Sequence, residues 1–281
     1  MPLSAQTDIG DALSAATDAL AAAGVESPRL DAELLYCAAS GLDRARLATE
    51  PEIEVEPAAG REFAAMVRRR VRREPVAYIL GSKGFRHITL ACDRRALIPR
   101  PETELLVEIA VELGPSTILD VGTGTGAVAL AIADELPGAV ISATDTSESA
   151  LELARENATH LGLADRVRFA SGVLPSGSEP GFAFELALAN LPYVRDKEWG
   201  GLAPEISQYE PREAVLGGPD GLDPIRSLLD AISPDPPAAI ALEVGVGQAR
   251  EVRALVRAAG FAKLETRRDL AGIDRVVMGR R

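Results

Sequence analysis

The chain has 281 residues, 47% of them hydrophobic and 26% charged, enough apolar material for one large or two unequal domains and too much for a globally disordered chain. Its 42 acidic residues outnumber the 30 basic ones, for a formal net charge of −12; a protein that grips bare nucleic acid needs a basic surface, so a protein or small-molecule partner is expected and direct nucleic-acid binding is not. Two cysteines (Cys37, Cys92) and two histidines (His87, His160) form neither a disulfide framework nor a zinc set, and no metal is expected.

The first segment, MPLSAQTDIGDALSAATDAL, has acids where a secretory signal needs a basic start. No run of about 18 uninterrupted apolar residues is present to span a membrane. The expectation is a cytoplasmic chain without a membrane segment.

Residues 7–75 read as helical. DALSAATDALAAAG places small apolar residues at helical spacing and stops at Gly24. In SPRLDAELLYCAASG, Ser27 is the expected cap, Pro28 the first helical residue and Gly41 the end. REFAAMVRRRVRREP sets Phe63, Met66, Val67 and Val71 on one face, with Pro75 ending the helix. The basic run Arg68–Arg73 then lies mostly on the other face, either solvated or open to an acidic or RNA-associated partner. Residues 1–75 are expected to be a helical domain. Residues 76–98 carry β-branched residues with Gly81 and Gly84, which predicts a hairpin linker.

Residues 99–281 are expected to form the second domain. IPRPETELLVEIAVELG enters a helix with Pro101 just inside its start and Glu102 and Glu104 in its first turn, where acids suit the dipole. From Thr117 onward, strands (TILDVG, AVISATD, RVRFASG, ELALANLPYV, AAIALEVG) alternate with helices, which predicts an α/β fold with a mostly parallel sheet covered on both faces. The last two strands, KLETRRD and DRVVMGR, are joined by LAGI, too short for a crossover, and should pair antiparallel.

Two segments carry chemistry. ILDVGTGTGAVALA puts Gly122, Gly124 and Gly126 between a strand and a helix, where main-chain N–H groups can approach a ligand at a helix N-terminus. It lacks the G-x-x-G tail of the dinucleotide fingerprint and the G-K-[ST] of a phosphate loop. The pattern Asp120-x-Gly-x-Gly-x-Gly resembles the first motif of S-adenosylmethionine (SAM)-dependent methyltransferases. Asp145 ends the next strand, where a carboxylate can accept from both ribose hydroxyls; its plain alternative is a helix cap, and that of Asp120 a buried loop organiser. The second segment, Asn190-Leu191-Pro192-Tyr193, follows a buried strand at the carboxyl edge of the sheet, where such folds bind ligands. It resembles the N/D-P-P-Y/F motif of methyltransferases acting on planar nitrogens. An amide nitrogen is a poor nucleophile because its lone pair is delocalised. Asn190 Oδ1 and the next main-chain carbonyl can accept its two hydrogens and stabilise the charge that develops, while Tyr193 can pack on the flat amide. Leu191 stands where a first proline is commoner. It keeps the carbonyl and, preceding Pro192, stays biased to extended backbone.

With ALIPRPETELLVE (96–108), YEPREAVLGGPDGLDPIR (209–226), DLAGIDRVVMGR (269–280) and a helical N-terminus, the chain resembles the HemK/PrmC family, the peptide chain release factor glutamine methyltransferases, over nearly its whole length. The resemblance implies a Rossmann-like methyltransferase domain with a mostly parallel seven-stranded sheet and an antiparallel C-terminal strand, preceded by a helical substrate-recognition domain. It implies SAM bound by Asp120, Gly122, Thr123, Gly124, Thr125, Gly126, Asp145 and Asn190. The family's adenine-side contact maps near Gly172–Val173, where ASGVL has neither the usual acid nor an aromatic. Asn190, Leu191, Pro192 and Tyr193 would hold the substrate glutamine, with Arg100 and Glu102 of PRPETE close by. The implied reaction, in translation termination, is N5-methylation of the glutamine in the Gly-Gly-Gln loop of class I release factors, by a monomer. A glutamine of a ribosomal protein, a nucleic-acid amine and a non-catalytic SAM-binding role are the alternatives.

Overall fold

The computed structural model describes residues 8–174 and 184–281; Thr7, where the helical reading begins, lies outside them. The chain divides into two compact units, one running to Gly81 and including Pro204–Tyr209, the other comprising Ser82–Ala203 and Glu210–Arg281.

The first unit holds α1 (Ile9–Ala22), α2 (Pro28–Ser40), α3 (Arg44–Thr49), α4 (Pro57–Val71) and α5 (Val76–Leu80). Asp8, Asp43 and Glu56 cap α1, α3 and α4 by accepting main-chain N–H bonds. Ser27 stands at the start of α2 but makes no side-chain cap, so Pro28, with its preset φ, begins that helix instead. Gly41 closes α2 in the left-handed region at φ 72°. Ile9, Leu13, Leu20, Leu35, Tyr36 and Phe63 form the core, with Tyr36 edge-on to Phe63 at 5.1 Å.

On α4 the buried stripe differs from expectation. Arg70, seven residues after Phe63, is buried and Val71 is exposed. Charge pairing explains it. Arg70 meets Asp31 at 2.7 Å and Glu205 at 2.8 Å, and Arg73 meets Glu205 at 2.7 Å. Arg69 pairs with Glu74 at 2.7 Å. Three arginines of the run are therefore neutralised within the unit instead of forming a free basic face.

In the second unit the hairpin is confined to β1 (Ser82–Phe85) and β2 (Ile88–Ala91), because residues 76–80 wind into α5. Phe85, Ile88 and Leu90 join this unit's core. At the turn Arg86 (φ 51°) makes two 2.8 Å bonds to Glu135. There follow α6 (Glu104–Leu113), β3 (Thr117–Val121), α7 (Ala127–Glu135), β4 (Val140–Asp145), α8 (Glu148–His160), β5 (Val167–Ser171), β6 (Leu186–Ala189), the one-turn α9 (Pro204–Ser207, in the first unit), α10 (Asp223–Ile232), β7 (Ala239–Glu243), α11 (Ala249–Ala258), β8 (Lys263–Arg268) and β9 (Asp274–Arg280). A 3-10 turn at Pro101–Thr103 precedes α6; two more, Asp196–Gly201 and Arg212–Ala214, lie between β6 and α10. The latter two and α9 are too short to show a hydrophobic period.

The sheet has seven strands in the order β5-β4-β3-β6-β7-β9-β8. β5, β4, β3, β6 and β7 run parallel, and β9 lies antiparallel between β7 and β8. Its residues alternate between two cores. Ile118, Leu186, Leu188 and Ala241 face the side of α6 and α7, while Leu119, Ala187, Ile240 and Leu242 face that of α10 and α11. This is the mostly parallel α/β architecture that the alternating elements predict. Among the described residues no helix is long and apolar enough to cross a membrane.

Candidate active site

The glycine loop turns sharply after β3. Gly122, Gly124 and Gly126 adopt φ of 73°, 57° and 84°, a region that other residues enter at a cost. The N–H groups of Gly122 and Thr123 donate to the Thr144 carbonyl at 2.8 and 2.9 Å, which ties the loop to β4. Thr123 Oγ1 donates to Asp120 Oδ2 at 2.6 Å. Asp120 is almost wholly buried, and burial lifts its carboxyl to about 6 against that hydrogen bond. Asp120 is thus an organiser of the loop. Gly126 serves packing: a Cβ there would sit 2.9 Å from Leu130 Cδ1.

Asp145 ends β4. Its Oδ2 accepts from Gly124 N and its Oδ1 from Ser147 N, both at 2.9 Å. The cap of α8 is Ser147, whose Oγ accepts from Ala150 N, so Asp145 is not that cap. Burial raises the Asp145 pKa, opposed by the N–H groups aimed at it.

The tetrapeptide follows β6. Asn190 Nδ2 donates to Thr103 Oγ1 at 2.9 Å, and Thr103 Oγ1 donates to Glu243 Oε2 at 2.7 Å. Among the described residues neither Asn190 Oδ1 nor the Leu191 carbonyl accepts a hydrogen bond. The next carbonyls are held from behind by the GGPDGL segment. A Cβ on Gly217 would come within 2.5 Å of the Pro192 oxygen, and one on Gly221 would overlap the Tyr193 oxygen. Gln248 Nε2 donates to that Tyr193 oxygen at 3.0 Å and its Oε1 accepts from Gly245 N at 2.9 Å. GGPDGL is therefore glycine-rich because the tetrapeptide backbone lies against it.

A cavity of about 360 Å³ lies within the second unit, at the carboxyl ends of β3, β4 and β6. Its lining includes Asp120, Gly122 to Thr125, Asp145, Val173, Asn190, Leu191, Pro192 and Arg100. Val173 is fixed by Thr144 Oγ1, which donates to its carbonyl at 3.0 Å. Gly126, Glu102 and Tyr193 are not on the lining. Tyr193 stands half-buried against Gly245, and burial together with the nearby Glu243 pushes its hydroxyl up to about 12. Arg100 pairs with Glu210, a buried carboxyl whose pKa is raised by burial and whose Oε2 has no partner among the described residues.

Sequence reasoning missed Thr103, Glu243, Gln248 and Asn157. Asn157 Nδ2 donates to the Thr125 carbonyl at 2.9 Å, and its Oδ1 accepts from Ala91 N at 2.7 Å, joining the glycine loop to β2. The available signal was a polar residue in an apolar setting: Glu243 ends the otherwise apolar AAIALE, and burial raises its pKa to about 7.

A family model described as the PrmC N-terminal domain matches residues 11–81, and one described as a methyltransferase domain matches residues 118–209. The release factor glutamine methyltransferase of Caulobacter vibrioides is 38% identical over 274 residues, covering 95% of this chain and 94% of the relative. That of Moorella thermoacetica is 40% identical over 277 residues, covering 96% and 97%. Among solved structures, the hMettl16 catalytic domain in complex with MAT2A 3'UTR hairpin 6 superposes with a TM-score of 0.58 at 13% identity, covering 73% of this chain and 81% of that one. At that identity the likeness concerns the fold alone.

Proposed function

The chain belongs to the release factor glutamine methyltransferase family, and we propose that it methylates N5 of the glutamine in the Gly-Gly-Gln loop of class I release factors. The observation that carries this reading is that Asn190 and Leu191, with two unused acceptors, border the same cavity as the Gly122–Thr125 loop.

The methyl donor of this methyltransferase family is SAM. The cavity suits it: the positive-φ glycines Gly122 and Gly124 bare the main chain on its lining, and a carboxylate preset by Gly124 N stands at the ribose position. SAM supplies an electrophilic sulfonium methyl. The remaining work falls to the chain. Asn190 Oδ1 and the Leu191 carbonyl accept the two hydrogens of the glutamine amide, fix its nitrogen in line and stabilise the positive charge it acquires. The proton leaves after transfer, so no strong base is needed. Tyr193 supports the clamp from behind, and Arg100, at the cavity wall, meets the approaching loop. The helical unit adds specificity through binding energy remote from the reacting atom. Such an enzyme works in the cytoplasm, as a monomer, on a protein partner.

The test is transfer of labelled methyl from SAM to a purified bacterial class I release factor, its loop Gln→Ala variant, ribosomes and DNA in parallel. Label is expected in the unaltered release factor only. Label that survives the loop substitution, or that appears only in ribosomes or DNA, would overturn the reading.

A further inference from the structure

Asn190 can serve as an amide acceptor only if Oδ1, and not Nδ2, meets the substrate. A primary amide has nearly the same shape either way round, so packing alone does not choose. The neighbouring hydroxyl can. Thr103 has one hydroxyl proton and two lone pairs. Glu243 as a carboxylate has only acceptors, so the Thr103 proton goes to Glu243 Oε2, at 2.7 Å. The Thr103 oxygen must then accept, and it does so from Asn190 Nδ2 at 2.9 Å. Thr103 and Glu243 are both buried, Glu243 being only 2% exposed, so water does not compete for these bonds.

We infer that Glu243, acting through the Thr103 hydroxyl, sets the polarity of the Asn190 amide and so presents Oδ1 to the substrate nitrogen, an inference that rests on the reading of Asn190 as the amide clamp. Glu243, which is off the cavity lining, is then a positioning residue, and Thr103, which reaches that lining, transmits its effect to Asn190. Protonated Glu243 removes the constraint. It can donate to Thr103, Thr103 can then donate to Asn190 Oδ1, and the amide turns its N–H groups toward the substrate N–H groups, donor against donor. The groups facing Glu243 are Glu102, which disfavours its charge, Arg275 and Arg100, which favour it, and Tyr193, whose hydroxyl is neutral at this pH and leaves that charge unopposed. With its carboxyl raised to about 7 by burial, transfer should increase as pH passes upward through neutrality.

The experiment measures kcat and KM for a release factor, and SAM affinity by calorimetry, in the full chain and in Thr103→Val, Thr103→Ser, Glu243→Gln and Asn190→Ala. Thr103→Val keeps the shape and loses the hydroxyl. Glu243→Gln keeps the shape and can donate as readily as accept. Both are expected to lower kcat about a hundredfold with SAM affinity and KM little changed. Thr103→Ser should restore most of the rate. The rise in kcat near pH 7 should vanish in Glu243→Gln. Thr103→Ser as impaired as Thr103→Val, or an unchanged pH profile in Glu243→Gln, overturns the relay while leaving the clamp in place. Unimpaired transfer by Asn190→Ala overturns the clamp itself.

Discussion

The first glycine of the loop leans on the tetrapeptide: a Cβ built on Gly122 would stand 2.9 Å from Leu191 Cδ2 and 3.4 Å from the Asn190 carbonyl oxygen. The donor loop and the amide clamp are thus one packed unit. Leu191, in the place of a commoner proline, supplies the packing surface.

Gly122→Ala should therefore damage both functions. At φ 73° an alanine is strained by about 1 kcal/mol, and its methyl must displace Leu191. SAM affinity and transfer are both expected to fall, by about tenfold or more. Leu191→Ala added to Gly122→Ala should recover part of the loss, because it removes the overlap but not the strain. A double-mutant cycle on the SAM dissociation constant measures this, and strictly additive effects would show that the contact does not couple the two sites.

The clamp is tested by Asn190→Ala. The residue follows β6, so truncation should leave the sheet intact, with SAM affinity within about threefold. Loss of one preorganised polar group at the reacting centre is expected to lower kcat by about 10²–10³. Single-turnover methylation, paired with calorimetry, separates the two quantities.

How much of this was legible in the sequence depends on separation along the chain. The glycine loop and the Asn190–Tyr193 tetrapeptide are contiguous, and strand–helix alternation alone places them at the carboxyl edge of the sheet. GGPDGL was recognisable by resemblance, but its reason was not, because Gly217 and Gly221 are explained by carbonyls of Pro192 and Tyr193 that only the folded chain brings near. Thr103 and Glu243 lie 140 positions apart and Arg70 and Glu205 lie 135 apart. No periodicity couples such pairs. For Arg70 the apolar pattern pointed to Val71 instead, although Arg70 sits seven residues after Phe63, because the partner that makes a buried arginine tolerable was not visible.

Gly221→Ala tests the support behind the clamp. Its φ is 78°, and an added methyl would overlap the Tyr193 carbonyl and stand 2.7 Å from Gln248 Nε2. The tetrapeptide must shift, and a displacement on the order of an ångström at a reacting centre costs about a hundredfold in rate. SAM affinity should hold, because Gly221 is not on the cavity wall. Equal losses of affinity and rate would instead indicate a general collapse of the site.

Asp145→Asn removes a charge without changing shape. The carboxylate accepts from Gly124 N and Ser147 N; an asparagine can satisfy one of these and turns an N–H group toward the other or toward the ribose. Hydrogen bonds to a charged group contribute about 1.5–3 kcal/mol, so SAM affinity should weaken by about ten- to a hundredfold. Calorimetric titration with SAM gives the answer, and affinity equal to wild type would dismiss the ribose role of Asp145.

The pH dependence of stability should report on Glu205. Burial opposes its charge, but Arg73 and Arg70 outweigh burial and hold its carboxyl at about 2, below the ordinary value of 4.5. A carboxyl depressed in the folded state binds fewer protons there than in the unfolded chain, so its stabilisation is complete above pH 4.5 and is lost as pH falls toward 2. Glu205→Gln should destabilise the helical unit by about 1–2 kcal/mol at neutral pH, since Arg70 keeps Asp31 but Arg73, partly exposed, loses its carboxylate partner. It should also flatten the loss of stability on acidification. Urea unfolding of the full chain at pH 7 and pH 3 reads both effects. If the variant and the wild type lose stability in parallel between those values, the acid sensitivity belongs to other carboxylates.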